Sequence, residues 1–291
     1  MPELPEVETV RVSLNKYIPH GVIKRVVVKK PKLLKDLTVT QFQSALVGQS
    51  FQPIERIGKL LIWPLKGQDL YLLTHLKMTG QFIFVNQEKL IATGHSDADS
   101  TMSLTVPNKY THIEIHFNNG GAVYYNDMRQ FGYFKLVNKE ELLRVKSKYG
   151  LEPLTQNFSL DNFIALLQSN PKANLKQFLL NQSKIAGLGN IYVDEIAHRS
   201  GVSPMRKVGT ISKKEILNLY EQINKVIKQA IKERGTTFSD YLDADGNKGN
   251  FIKYLKVYQR MGQHCLTCKK GEIVKVKIGG RGTHYCNNCQ K

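Results

Sequence analysis

Four cysteines near the C-terminal end form the clearest chemical pattern in the sequence. Cys265, Cys268, Cys286 and Cys289 are spaced C-x2-C-x17-C-x2-C. Each pair can form a turn that points both thiolates at one ion, and two pairs supply the tetrahedral sulfur set that zinc prefers. Four thiolates leave no open coordination position, so the pattern predicts one structural zinc ion. A redox-active cysteine pair is the alternative, and the clustering argues against a secreted disulfide protein.

The first residues could do a second kind of chemistry. Met1 is followed by Pro2, a small residue that usually permits removal of the initiator methionine, so that the mature chain begins with a secondary amine. A terminal amine has a pKa of about 8, and when unprotonated it can attack an electrophilic carbon and form an iminium ion. Glu3 and Glu6 lie one helical turn apart and could move protons beside it. Alternatively, these acids only complement the helix dipole.

The charge balance suggests a polyanionic partner. The 291 residues include 42 Lys and Arg against 24 Asp and Glu, a net charge of +18. Such an excess is typical of proteins that bind nucleic acid, although a merely basic protein remains an alternative. No run of 18 apolar residues predicts a membrane span, and the acidic start does not resemble a secretory signal. We therefore expect no membrane partner.

The elements that position these groups change character along the chain. Val7, Val10 and Leu14 recur at helical spacing, which predicts a helix over Pro2–Tyr17. Short apolar runs from Gly21 to about Val137 then predict β-strands, whereas the polar stretch Asn86–Pro107 predicts a loop. The expected strands are Ile23–Val28, Leu60–Pro64, Tyr71–His75, Phe82–Val85, His112–Phe117 and Ala122–Asn126.

The second half of the chain is predominantly helical in pattern. Helices are predicted over Leu160–Gln168, Ala173–Asn181, Asn190–Arg199 and Ser212–Lys232. A Gly-rich turn precedes Asn190, which is a good helix cap by residue type. Gly235–Asn250 predicts a polar loop. Between the cysteine pairs, the sequence favours a β-hairpin whose Gly-rich tip carries Arg281, where a guanidinium could bind phosphate.

Several strings in order resemble the formamidopyrimidine-DNA glycosylases over nearly the whole chain. The first is Met1-Pro2-Glu3-Leu4-Pro5-Glu6-Val7-Glu8-Thr9. The others are His75-Leu76-Lys77-Met78-Thr79-Gly80, Asp127-Met128-Arg129-Gln130-Phe131-Gly132, Gly187-Leu188-Gly189-Asn190-Ile191-Tyr192, Gly235-Thr236-Thr237-Phe238 and Gly280-Arg281-Gly282-Thr283-His284. Together with the zinc cysteines, they make coincidence a poor explanation.

The resemblance implies an α+β fold with two domains. An N-terminal helix on a two-layer β-sandwich would be followed by a helix–two-turn–helix domain and a C-terminal β-hairpin zinc finger, with DNA between the domains. We divide the chain into a catalytic domain (1–137), a linker (138–155), a helical domain (156–250) containing a lesion loop (235–249), and a zinc finger (251–291). The implied protein is a cytoplasmic, nucleoid-associated bacterial monomer.

The implied activity is excision of oxidised purines, 8-oxoguanine and formamidopyrimidines, from double-stranded DNA, followed by lyase cleavage of the abasic site. By resemblance, Pro2 attacks the sugar C1′, Glu3 transfers protons, Glu6 supports the site, and Lys59 holds phosphate. The iminium then permits β,δ-elimination. The implied DNA contacts are His75, Asn190, Tyr258 and Arg281, and the implied inserting side chains are Met78, Arg129 and Phe131. Lys176, on the helix before the Gly-rich turn, is a further basic candidate for DNA contact.

The sequence departs from the family pattern in four details. The zinc spacing is x17 where x16 is expected, Lys77 and Gln259 stand where glycine is usual, and Gln130 replaces a basic residue. Two other functions stay open from the residues alone. One is an endonuclease VIII-type glycosylase for oxidised pyrimidines, against which Leu4 and the long Gly235–Gly249 loop argue. The other is a non-catalytic zinc-ribbon protein that binds DNA without a covalent step.

Overall fold

The computed structural model describes residues 1–18, 21–86, 90–94, 105–236 and 249–291. These residues divide into two compact units. Unit 1 contains Met1–Lys146 and Glu233–Asn250, and unit 2 contains Ser147–Lys232 and Phe251–Lys291. None of the described helices is both long and apolar enough to cross a membrane.

Unit 1 begins with a helix and continues into two antiparallel sheets. Helix α1 spans Leu4–Tyr17, and Glu3 is its N-cap residue. The other helices of unit 1 are α2 (Val39–Leu46) and α3 (Lys139–Lys146). The strands are β1 (Ile23–Val28), β2 (Glu55–Ile57), β3 (Leu60–Pro64), β4 (Leu70–His75), β5 (Gly80–Val85), β6 (Leu90–Gly94), β7 (Thr111–Phe117), β8 (Ala122–Asp127) and β9 (Tyr133–Asn138).

The strands pair into a five-stranded sheet, β1-β7-β8-β5-β6, and a four-stranded sheet, β2-β3-β4-β9. One apolar core contains residues from both sheets, as expected for a β-sandwich. Trp63 of β3 and Phe82 of β5 are in contact within this core, with ring centroids 5.1 Å apart. The same core includes Val7, Val10 and Leu14, so the apolar stripe of α1 is buried as its spacing predicts.

Unit 2 contains four further helices and a hairpin. The helices are α4 (Leu160–Gln168), α5 (Leu175–Leu180), α6 (Asn190–Arg199) and α7 (Lys213–Lys232), and the hairpin strands are β10 (Ile273–Ile278) and β11 (Arg281–Cys286). The α+β fold class is confirmed, and the bounds of α4 and α6 agree with those predicted. The four-part domain division remains a prediction.

Two elements of unit 1 differ from expectation. Helix α2 lies inside the region read as β-rich, and a capping box between Thr38 and Gln41 marks its start. Strand β6 lies inside the stretch predicted to be a loop, where it pairs with β5 from Leu90 opposite Val85 to Gly94 opposite Gln81. Within the same predicted loop, residues 87–89 and 95–104 lie outside the described residues, as do residues 237–248 of the predicted lesion loop.

Candidate active site and nucleic-acid interface

The two N-terminal carboxyl groups lie at the start of α1 and are almost fully buried. Glu3 and Glu6 are 3% and 2% exposed. The backbone N–H of Glu3 donates to Oε2 of Glu6 at 2.9 Å. This bond gives an acceptor to an amide N–H that would have none within the first helical turn. Pro2 is also buried, so the chain's first residues are held in place by the fold.

Glu6 also binds a segment far away in sequence. Its Oε1 accepts the backbone N–H of Thr236 at 2.7 Å, while its Oε2 is used by Glu3. Gly235 approaches the same carboxyl group so closely that an added Cβ would lie 2.6 Å from Oε1. Gly235 has a φ of +84°, which also favours glycine. One carboxyl group therefore connects the start of α1 to the first residues of the predicted lesion loop.

The terminal amine lies within the electrostatic reach of several predicted site residues. In this structure the amine belongs to Met1, and burial lowers its pKa from 8.0. Glu3 and Glu6 act to raise that pKa, whereas Lys59 and Arg129 act to lower it further. The structure thus brings the amine, two carboxyl groups and two cations together. A lowered pKa increases the unprotonated fraction of an amine, which is the nucleophilic form.

Lys59 is positioned by the hairpin between β2 and β3. It follows Gly58, whose φ of +54° permits the tight turn, and it is only 5% exposed. Arg56 donates to the carbonyl of Gly58 at 2.9 Å and to Glu8 of α1, also at 2.9 Å. The hairpin is therefore attached to α1, the helix that Glu3 caps.

His75 ends strand β4, and its ring is neutral at physiological pH. Its Nδ1 accepts the backbone N–H of Lys77 at 3.0 Å, so the ring proton of the neutral form is on Nε2. Burial, with the charges of Lys77 and Lys59, lowers the pKa of His75 from 6.5 to about 3. His75 can therefore offer one N–H donor, but no positive charge, to a phosphate.

The fully buried Asp127 connects two loops of unit 1 through hydrogen bonds to its carboxyl group. Its carboxyl oxygens accept from Thr79 Oγ1 at 2.5 Å and from the backbone N–H of Gly132 at 2.8 Å. The hydroxyl of Thr79 in turn accepts the backbone N–H of Arg129 at 2.9 Å. The loop after β4 and the loop after β8 are therefore fixed against each other.

These loops bring the three predicted inserting side chains together at the surface. An Nη of Arg129 lies 3.0 Å from Sδ of Met78, and its guanidinium stacks 4.9 Å from the ring centroid of Phe131. Met78 is 37% exposed and Phe131 is 55% exposed. Exposed apolar side chains beside an arginine can fill a gap in a base stack. Lys77 in this loop has a φ of +52°, which explains why glycine would suit its position.

Unit 2 carries the remaining predicted contacts. Arg281 is exposed and begins β11 directly after a two-residue turn, Gly279-Gly280, in which both φ values are positive. Asn190 is the first residue of α6 rather than its cap, a position that Gly189 occupies. Its amide donates to the carbonyl of Gly282 at 2.9 Å. Tyr258 is half-buried and packs edge-on against His284, with centroids 5.0 Å apart.

Lys176, a predicted DNA contact, is buried inside unit 2. Its side chain is fully buried, and its ammonium group forms an ion pair with the equally buried Asp194. A direct phosphate contact would require breaking this pair and exposing two buried charges, which is strongly unfavourable. The side chain lies in the interior of unit 2, so this ion pair disfavours the predicted contact between Lys176 and DNA.

The four cysteines have the geometry of a tetrahedral metal site. Their sulfur atoms all lie within 4.8 Å of one another, and two of the sulfur pairs, Cys265–Cys289 and Cys268–Cys286, are 3.8 and 3.7 Å apart. A zinc–sulfur distance of about 2.3 Å gives a tetrahedron with edges of about 3.8 Å. The residues present therefore fit one structural zinc ion, despite the x17 spacing.

Sequence reasoning missed the buried acids that hold these groups in place. Asp194 accepts the backbone N–H of His284 at 2.9 Å. Glu195 accepts the consecutive backbone N–H groups of Lys256, Val257 and Tyr258 at 2.9 to 3.0 Å. Two adjacent acids between the apolar residues Val193 and Ile196 were the available signal, but their partners lie 61 and 90 residues away in sequence.

We predict that Gly235→Ala destabilises unit 1 more than Gly48→Ala. Both glycines have a φ near +84°, but a Cβ at Gly48 meets nothing within 4 Å, whereas one at Gly235 meets Glu6. The shared backbone cost is about 1–2 kcal/mol, and overpacking adds about 1–3 kcal/mol at Gly235. Urea unfolding followed by the fluorescence of Trp63, the only tryptophan, measures both variants. Equal losses would show that Gly235 is not pressed against Glu6.

We further predict that His75 does not titrate between pH 5 and 8 in the folded protein. Its folded pKa of about 3 lies below the 6.5 of an unfolded chain, so protonation favours unfolding. The contribution of His75 to stability is then lost as the pH falls below about 6.5. The NMR shifts of the ring, recorded against pH, test this, with urea-unfolded protein as the control. A folded-state midpoint near 6.5 would contradict the burial of the ring.

Comparison with known proteins covers most of the chain. Three family models match: the formamidopyrimidine-DNA glycosylase N-terminal domain over residues 1–134, the H2TH domain of the same enzymes over 149–241, and the zinc finger found in FPG and IleRS over 262–291. Formamidopyrimidine-DNA glycosylases from Heliobacterium modesticaldum and Listeria monocytogenes serotype 4b are 39% and 35% identical, each over 100% of both chains.

Solved structures agree with these matches. A complex between the Lactococcus lactis Fpg and an abasic site containing DNA is similar with a TM-score of 0.86 and 33% identity, covering 99% of each chain. A Lactococcus lactis FPG mutant bound to a Fapy-dG containing DNA has a TM-score of 0.86 and 32% identity, covering 100% of each chain. This chain belongs to the formamidopyrimidine-DNA glycosylase family.

Proposed function

We propose that this chain is a base-excision repair enzyme that removes oxidised purines from double-stranded DNA and then cleaves the resulting abasic site. The observation that carries this function is the grouping of a terminal amine with Glu3, Glu6 and Lys59 in a chain that matches the family over its whole length. The enzyme is a bifunctional glycosylase and lyase.

Pro2 is the proposed nucleophile once Met1 has been removed. Its secondary amine attacks C1′ of the damaged nucleotide, a bond forms between nitrogen and C1′, and the bond from C1′ to the base breaks. Glu3 is the proposed proton donor for opening of the sugar ring. The iminium withdraws electrons from C2′, so loss of a C2′ proton expels the 3′ phosphate and leaves a conjugated iminium. Loss of a C4′ proton from that iminium then expels the 5′ phosphate. Glu6 keeps Glu3 and the lesion loop in register.

Both units supply groups suited to DNA. The net charge of +18 favours association with a polyanion and makes that association sensitive to salt. On unit 1, Met78, Arg129 and Phe131 are the proposed wedge that fills the space of an extruded nucleotide. The proposed phosphate contacts are Lys59, His75, Asn190, Tyr258 and Arg281. Lys176 is not included, because its ammonium group forms a buried ion pair with Asp194.

The zinc ion in this proposal is structural. Its four thiolate ligands hold the hairpin whose tip presents Arg281, so loss of zinc would disorder a DNA contact rather than a chemical step. The substrate also sets the location, because an enzyme of chromosomal lesions must act where the chromosome lies. We therefore propose that the chain acts as a monomer in the bacterial cytoplasm, at the nucleoid.

Borohydride trapping tests the proposed covalent step. Incubation with duplex DNA containing 8-oxoguanine and reduction with borohydride should give a stable adduct, because the reductant converts an iminium into an amine. Mass spectrometry of the peptides should locate the DNA remnant on Pro2, with Met1 absent. Glu3→Gln should lower the rate of adduct formation by about 100-fold or more, because the iminium that borohydride traps forms when the sugar ring opens and Glu3 is the proposed proton donor for that step.

Matched substrates and variants separate the other functions. Arg281→Ala, which alters a proposed phosphate contact, should weaken binding while leaving the trapped residue unchanged. A preference for thymine glycol over 8-oxoguanine would contradict the purine assignment. Salt-dependent binding without any adduct would instead indicate a non-catalytic DNA-binding protein, and an adduct on a lysine would reject Pro2 as the nucleophile.

A further inference from the structure

One face of helix α6 makes polar contacts with the zinc-finger segment along its whole length. Asn190, Asp194 and His198 follow at intervals of four residues, which places them on the same face of a helix. Asn190 donates to the carbonyl of Gly282, and Asp194 accepts the N–H of His284. His198, in the last turn, reaches the cysteine cluster itself.

The His198 ring lies against one edge of the sulfur tetrahedron. Its Nε2 is 3.4 Å from Sγ of Cys265 and 3.9 Å from Sγ of Cys289. These two sulfur atoms are 3.8 Å apart, so the nitrogen faces the edge that joins them. His198 is only 2% exposed, which leaves little room for water between ring and sulfur.

The surroundings of the other ring nitrogen, Nδ1, indicate which nitrogen of the neutral His198 ring carries the proton. Among the residues that the structure describes, no hydrogen-bond partner lies at Nδ1, although that atom is buried. A proton on Nδ1 would bury an unpaired donor and would also turn the Nε2 lone pair toward sulfur lone pairs. A proton on Nε2 avoids both costs. The ring therefore points an N–H group at the cysteine sulfurs.

We propose that His198 is an outer-shell partner of the zinc site, donating its Nε2–H to the Cys265 thiolate on the side shared with Cys289. Zinc with four thiolates carries a net charge of about −2, and hydrogen bonds to sulfur spread that charge and hold the ligands in orientation. The proposal concerns the metal site alone and does not depend on the proposed enzymatic activity.

His198 differs from the other sulfur donors in where it comes from. Backbone N–H groups of Thr267, Gly271 and Asn288 lie 3.3 to 3.4 Å from the sulfurs of Cys265, Cys268 and Cys286, respectively. Those donors belong to the finger itself, whereas His198 is 67 residues away from Cys265 in sequence. The imidazole therefore couples retention of zinc to helix α6, whose other end begins at Asn190.

The role is that of an outer-shell donor rather than a fifth ligand. Four sulfur atoms already have the spacing of a complete tetrahedron, and Nε2 lies at hydrogen-bond distance from sulfur. His198 therefore acts on the metal through Cys265 and Cys289. A ring that only filled space at this position would be replaceable by phenylalanine, and this difference can be measured.

The test compares donor-bearing and donorless side chains in the full-length, zinc-loaded protein. His198→Gln retains an N–H donor of similar reach, whereas His198→Phe retains ring volume without a donor. The rate of zinc transfer to a chromophoric chelator should rise about 10-fold or more for His198→Phe and remain near the wild-type rate for His198→Gln. His264→Phe, which replaces an exposed imidazole beside Cys265, is the matched control and should leave the rate unchanged.

In the cobalt-substituted protein, the energy of the thiolate-to-cobalt absorption band reports on hydrogen bonding to sulfur, which a purely space-filling side chain would not change. A hydrogen bond lowers the energy of the sulfur donor orbital, so its loss should shift the thiolate-to-cobalt charge-transfer band to lower energy. We expect that shift for His198→Phe but not for His198→Gln or His264→Phe. If His198→Phe does not load metal, His198→Met is the donorless comparison. Equal zinc release and identical cobalt spectra for donor-bearing and donorless variants would overturn the proposal.

Discussion

The arrangement of the proposed catalytic groups depends on the two oxygens of Glu6. One oxygen accepts the N–H of Glu3 and the other accepts the N–H of Thr236, 230 residues away in sequence. A carboxylate can satisfy two amide donors at once, and burial makes these bonds costly to break. The first residues of α1 and the first residues of the predicted lesion loop are therefore fixed by one side chain, and Gly235 leaves space for it because glycine has no Cβ.

Other buried acids in this strongly basic chain also hold segments in place by accepting hydrogen bonds. Asp127 holds the two loops that carry Met78, Arg129 and Phe131. Asp194 and Glu195 hold the finger against α6 by its backbone amides. These buried carboxyl groups are therefore paired with donors inside each unit. The net charge of +18 comes from the excess of 42 Lys and Arg over 24 Asp and Glu.

Local sequence patterns predicted what depends on neighbouring residues. The cysteine spacing, the apolar periodicity of α1 and the bounds of α4 and α6 all follow from residues close together in the chain. Partnerships between distant segments were not visible in the sequence, which is why Lys176 was expected among the DNA contacts although it pairs with Asp194 in the interior. Strand β6 was missed because the stretch around it is polar, although its own five residues, Leu-Ile-Ala-Thr-Gly, pair with β5. Glycine is usual in the family at two positions, which Lys77 and Gln259 occupy here. Both residues have a positive φ, so the family pattern there reflects backbone geometry.

Amide hydrogen exchange in Glu6→Gln tests the central constraint most directly. A glutamine side chain offers one acceptor oxygen and turns an NH2 group toward the second amide, so it cannot accept from both partners. The account predicts that the amide proton of either Glu3 or Thr236 exchanges markedly faster in Glu6→Gln than in the wild-type protein, while amides in the β-sandwich core keep their protection. Unchanged slow exchange at both Glu3 and Thr236 would contradict the role assigned to Glu6.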